Sequence, residues 1–269
     1  MRGRAVMVFG LSLFSTTTAA AAQVAQVQIA YDTYAAGIEV MQMNASFGLG
    51  PLSYSIDLNY HTTGLVGLFY GGRQVNSVRG VWHDEQASPL EFFGEGVWRG
   101  HERRTLIAYA NGQPDVRELE PPQDSEREPV PRELQRRTMN TLSALAHLMR
   151  RVERDRTCET TVRTFDGRRI LDITAHDGGP ERLAATGHSA FSGPTIRCDF
   201  TGRELAGFLI GDNDPDHRRP LHGSAWLAAL VPSAPPLPVQ IAFQTRWFGL
   251  ATMYLTGVTA KNAAAARPN

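Results

Sequence analysis

The chain has 269 residues, with 27 lysines and arginines balanced against 27 acidic residues. That balance gives no electrostatic footprint for nucleic acid, whose phosphates require a basic face. Lys261 is the only lysine, which argues against a lysine nucleophile or Schiff base within the folded body.

The first segment reads as a signal peptide over residues 1–22. Arg2 and Arg4 precede a nearly unbroken apolar run, Ala5 to Leu13, and Thr16 to Thr18 lead into Ala19–Ala22 before Gln23. A basic start, an apolar centre and a small-residue exit, in that order, is what export machinery recognises. The apolar run is shorter than the ~20 residues that cross a bilayer as a helix. No cysteine follows the alanines, so the expected product is a soluble periplasmic chain without a lipid or transmembrane anchor. Losing Arg2 and Arg4 takes the basic count from 27 to 25 against 27 acidic residues, a formal charge of −2.

The chain from 23 to 258 reads as a single antiparallel β domain. Val27, Ile29 and Tyr31 alternate with polar neighbours, the period-two signature of a half-buried strand. Met41, Met43, Ala45, Phe47 and Leu49 repeat it, and Tyr54, Ile56, Leu58 and Tyr60 follow Gly50-Pro51, which suggests a meander. Gly64 to Gly72 is glycine-rich and apolar but lacks the order of a phosphate-binding loop. It reads as a bend or short helical turn that buries Leu65, Leu68 and Phe69. Val75–Trp82, Leu90–Arg99 and Arg103–Ala110 are further strands, the last ending at Asn111-Gly112.

Residues 113–131 change character, with five prolines among many acidic residues, and read as a solvated excursion outside the core. One helix follows, over about 140–153. Leu142, Leu145 and Met149 belong to an apolar stripe at intervals of three or four, and Asn140 is placed to cap its first turn. The stripe is expected to be core packing against the sheet, or part of an apolar binding surface. Cys158–Phe165, Arg169–Ala175 and Thr195–Phe200 read as strands, with Asp166-Gly167 a tight turn and 211–222 a polar loop. Val239, Ile241 and Phe243, then Ala251–Val258, complete the domain, and 259–269 is expected to be a flexible tail.

Cys158 and Cys198 are the only cysteines. In an oxidising compartment the leading reading is a structural disulfide, with two buried thiols or a redox or metal pair as alternatives. The tests for chemistry find no coherent set. Asp212, Asp214 and Asp216 have the spacing that opens a calcium loop, with His217 and His222 near, but a histidine stands where the turn glycine belongs. Ser189 sits in a Gly-His-Ser-Ala-Phe sequence whose last residue is wrong for a nucleophile elbow. His61 with Asp57, and Glu91 with Glu95, share strand faces by spacing alone. Paired arginines recur at 103–104, 136–137, 150–151, 168–169 and 218–219, and would bind an anion only if several converged.

Several of these segments carry a family resemblance. Cys158-Glu-Thr-Thr-Val-Arg-Thr-Phe-Asp-Gly-Arg-Arg169, then Asp172 and Gly193-Pro-Thr-Ile-Arg-Cys198, resemble the exported bacterial family called domain of unknown function 3108. Gly64 to Leu68, and Asn140-Thr-Leu-Ser-Ala-Leu145, resemble it too, with Asn140 where the family carries Asp. That departure leaves capping intact and weakens a catalytic role for the position. The resemblance implies a curved or partly closed antiparallel sheet, a carrier-like barrel or spiral with one principal covering helix, and brings no established reaction or cofactor. The leading expectation is a noncatalytic envelope protein that binds a lipid or other apolar ligand. The alternatives are a structural factor binding an envelope protein, and, further off, a hydrolase.

Overall fold

The computed structural model describes residues 25–64, 67, 71–232, 234–245 and 249–261. Residues 1–22, together with Leu65, Leu68 and Phe69, lie outside the described residues. Thirteen strands form one antiparallel sheet: β1 Ala25–Ala35, β2 Ile38–Leu49, β3 Ser53–Thr62, β4 Gly72–His83, β5 Gln86–Trp98, β6 His101–Ala110, β7 Gln113–Glu120, β8 Thr160–Phe165, β9 Ile170–Leu183, β10 Gly193–Ala206, β11 Leu221–Ala228, β12 Leu237–Thr245 and β13 Gly249–Lys261. Their spatial order is β7-β6-β5-β4-β3-β2-β1-β13-β12-β11-β10-β9-β8. Two meanders therefore run outward from a central β1–β13 pair, which joins Gln26 to Lys261 and Ala35 to Ala251.

The period-two sequence pattern becomes the inner face. Val27, Ile29, Tyr31, Thr33 and Ala35 of β1 are all buried, as are Ala45, Phe47 and Leu49 of β2 and Tyr54 and Ile56 of β3. The sheet does not close by pairing β7 with β8. Its edges nevertheless approach one another. Ile107 and Tyr109 of β6 share a core with Phe165, Ile170 and Ala206 from the other meander. A side chain added at Gly167 would meet Leu119, Thr105 and Ile107, so the β8–β9 turn lies against β6 and β7.

The chain between β7 and β8 fills this seam. It contains a one-turn helix, α1 Arg132–Gln135, and the long helix α2 Thr141–Asp155. Ahead of α2 it bonds to several sheet elements. Arg137 N–H donates to Gly112 O (2.8 Å), Met139 N–H to Arg163 O (3.1 Å), and Glu128 N–H to Phe208 O (2.8 Å). Exposed edge ladders invite pairing with other chains, and a covering strap removes that hazard.

The expected solvated excursion at 113–131 is corrected here. Gln113–Glu120 is edge strand β7, paired with β6, and Val130 is buried. Proline lacks a ladder donor, and an edge strand is where its loss is tolerated; Pro114 stands opposite Tyr109 in such a place. The polar stretch 211–222 likewise yields its end to β11, and 259–261 belong to β13.

Helix α2 begins at the expected Asn140, whose side chain accepts from Ser143 N–H at 2.9 Å. Met149 is fully buried, and Leu142 and Leu145 are partly buried against the main core. Tyr54 Oη donates to Ser143 Oγ at 2.8 Å. Arg150 stacks over Trp82 (4.7 Å) and pairs with Glu85 at the β4–β5 turn (3.2 Å). The helix thus covers the end of the sheet that carries the β2–β3 and β4–β5 turns. Cys158 and Cys198 form a disulfide, with Cα atoms 5.5 Å apart. It crosses over β9 from the segment leading into β8 to β10, where Asp177 pairs with Cys198 in register and accepts from Cys158 N–H at 2.6 Å.

Candidate functional site

At the end of the sheet opposite α2, inward side chains become small or polar. Thr33, Ala35, Thr62 and Ala251 occupy positions that would carry bulky residues in a filled core. The space they leave is a cavity of about 720 Å³, within the size range of small-molecule pockets. Val40, Met41 and Met43 of β2, Leu221 of β11 and Phe243 of β12 give it an apolar wall. Trp98 and Arg99 reach it from the β5–β6 turn, and Tyr60 from β3.

The remaining wall is basic. Arg127 of the strap and Arg169 of the β8–β9 turn also line the cavity, and none of the described lining residues is acidic. Each arginine is held by fixed partners. Arg127 Nη1 donates to Gly207 O (2.6 Å) and Glu204 Oε1 (3.0 Å), a pair whose side chains are 14% and 4% exposed. Gly207 has a φ of +83°, and a Cβ there would lie 2.1 Å from Arg168 O, so only glycine permits this approach. Arg169 Nε donates to Asp166 Oδ2 at 2.8 Å.

Two further arginines stand behind them. Arg103 grips Glu126 with both terminal nitrogens, at 3.0 and 2.5 Å. Arg168 is 9% exposed, with Nη1 3.8 Å from Glu126 Oε2. Neither Arg168 Nη1 nor Nη2 has a hydrogen-bond partner, and the same holds for Arg103 Nε.

The carboxylates respond to this field. The Arg103 hydrogen bond, reinforced by the charges of Arg168 and Arg127, holds Glu126 below its ordinary range against the opposing effect of burial. Burial alone would raise Asp166, but Arg169 and the N–H groups of Arg168 and Arg169 outweigh it, and its pKa is lowered. Burial, followed by the neighbouring charge of Arg103, lowers Arg168.

The other sequence candidates do not converge on this site. Leu142, Leu145 and Met149 pack with the core rather than the cavity. His61 and Asp57 lie on the outer side of β3, where Asp57 pairs with Arg79 at 2.9 Å. Glu91 is exposed on β5, and Glu95 lies 3.9 Å from Arg104. Ser189 Oγ is 3.3 Å from Leu255 O and accepts from Phe191 N–H, which makes it a turn residue. Asp212 and Asp214 accept backbone N–H groups that shape the turn before Pro215–Arg218. No cluster of three metal-ligating side chains occurs among the described residues. His176 meets Glu159 at 3.0 Å on an exposed surface, and His222 meets Thr201.

Convergence of arginines was named in the sequence as the condition for anion binding, and the fold brings Arg103, Arg127, Arg168 and Arg169 together. Arg127 was not distinguished there, because its approach depends on the strap and on Gly207. The nearest sequence signal was the Arg168-Arg169 pair beside a tight turn.

A family model described as "Protein of unknown function (DUF3108)" matches residues 26–256. Among solved structures, the chain is similar to a β-barrel-like protein of domain of unknown function DUF1849 from Brucella abortus. That likeness has a TM-score of 0.53 and 12% identity, and covers 90% of this chain and 100% of the other. It is a likeness of fold. No curated protein matches the chain. Among the described residues, no helix is long and apolar enough to cross a membrane.

Proposed function

The chain belongs to the DUF3108 family, and from that premise we propose that it is a noncatalytic periplasmic protein that carries an apolar ligand within its curved sheet. The observation that supports the reading is the cavity of about 720 Å³ walled by Met41, Met43, Leu221 and Phe243. Filling such a space with hydrocarbon removes apolar surface from water, worth roughly 25 cal/mol per Å². The periplasmic assignment draws on the basic, apolar and small-residue order of residues 1–22 and on the Cys158–Cys198 bond, which persists in oxidising compartments. The described histidines that meet acidic partners, His176 and His83, do so on exposed surfaces, which favours binding over acid–base chemistry.

Native mass spectrometry of the mature protein, purified gently from its own envelope, tests the reading. A stoichiometric adduct that organic extraction removes is the expected result. A bare chain mass, together with failure of the extracted protein to take up an apolar fluorescent dye, would overturn it.

A further inference from the structure

The cavity has a second property that a purely apolar ligand would not use. Among the described residues, its lining includes three arginines, Arg99, Arg127 and Arg169, and no acidic residue. Arg127 and Arg169 belong to a seam cluster in which four guanidinium groups face three carboxylates, Glu126, Asp166 and Glu204. The surplus falls on Arg168, whose side chain is 11% exposed, whose Nη1 stands 3.8 Å from a Glu126 carboxylate already held by Arg103, and which has no hydrogen bond at either terminal nitrogen. A buried cation that shares its counter-charge and lacks a hydrogen bond is held at some cost. The direction of the Arg168 titration agrees, since burial and Arg103 both disfavour its charged form. An incoming anion would offset both by favouring the charged form.

We propose that the cavity takes an anionic amphiphile, with its hydrocarbon against Met41, Met43 and Phe243 and its carboxylate or phosphate head at the arginine cluster. Arg127 and Arg169 line the cavity and meet the head, and Arg168, which shares Glu126 with Arg103, adds positive charge behind them. Guanidinium groups suit this task, since their planar fork matches the oxygens of both head types. The proposal rests on the carrier reading and names its ligand class.

The test is a matched series of sixteen-carbon probes offered to the extracted full-length mature protein: hexadecanoate, hexadecyl phosphate, hexadecanol and hexadecylamine. Inorganic phosphate alone is a separate arm. Binding is read by displacement of an apolar fluorescent dye and by native mass spectrometry. Hexadecanoate and hexadecyl phosphate are expected to bind about tenfold or more tightly than hexadecanol, the size of one good charge-assisted contact, with hexadecylamine weakest. Inorganic phosphate is expected not to displace the dye at millimolar concentration.

Equal binding of the acid and the alcohol would overturn the head assignment and leave the carrier reading standing. Failure of every long-chain probe and of the dye would instead remove the carrier reading itself. Binding of phosphate without the amphiphiles would overturn the amphiphile and leave a simple oxyanion site. In Arg168→Gln the preference for acid over alcohol should shrink several-fold, and an unchanged ratio would overturn the role given to Arg168. Should that variant not fold, the ratio measured in the natural chain still decides the proposal.

Discussion

His147 illustrates how much a single buried side chain can reveal. It lies on α2, 6% exposed, with Nε2 3.2 Å from Thr160 Oγ1 and Nδ1 without a hydrogen-bond partner. Burial, aided by the charge of Arg151, holds its pKa below the ordinary imidazole value. The unfolded chain therefore accepts the proton more readily than the folded one. Stability is complete above the unfolded pKa of roughly 6.5 and declines as the pH falls below it. Thermal unfolding midpoints measured from pH 7.5 down to pH 5 should drop less steeply in His147→Gln than in the natural chain; parallel slopes would contradict this account. Asn140 acts by a different route. It is buried, and its carbonyl oxygen caps α2 through Ser143 N–H. Asn140→Ala should lower the unfolding free energy by about 1 kcal/mol, as lost caps do, measured in denaturant with an unchanged m-value.

Among the elements, those with large alternating residues were legible in the sequence and those with small ones were not. β1, β2 and β3 carry Val, Ile, Phe, Tyr, Leu and Met at most of their inward positions, so the pattern stands out. β11 turns Leu221, Gly223, Ala225 and Leu227 toward the interior, and Gly223 must stay small because Phe200 lies over it. Half of its signal is therefore missing. β7 was hidden by Pro114 and its acidic residues, which an edge strand tolerates and a central one would not. The helix and the disulfide were readable, since one depends on local spacing and the other on compartment. The disulfide binds the exit of α2 to β10 across β9. Replacing both cysteines with serine should cost roughly 4 kcal/mol in the chain-entropy model for a loop of this length, measured by denaturant unfolding under non-reducing conditions. A loss below about 1 kcal/mol would show that the strap and core already confine that loop.

For the whole molecule, the fold class could be inferred and the cavity could not. The residues that line it come from β1, β2, β3, β5, β11, β12 and β13, from three connections and from the strap. No local window contains that set. Met41 and Met43 look like core in sequence, and only the sheet's curvature places Thr33, Thr62 and Ala251 near them with room to spare. The arginine wall is dispersed in the same way, since Arg127 and Arg169 come together only when the strap crosses the seam.

The central position of the β1–β13 pair has a consequence for the order in which the chain becomes available. Its partners come from opposite ends of the domain, so a chain synthesised from its amino terminus completes one meander while the far side of β1 still lacks its neighbour. That inner strand is a bare edge until β13 arrives, and contacts so distant in sequence are slow to form. A chain ending before Gly249 should leave both β1 and β12 open and aggregate, which light scattering during refolding would register. The complete chain should refold in a concentration-independent manner under the same dilution.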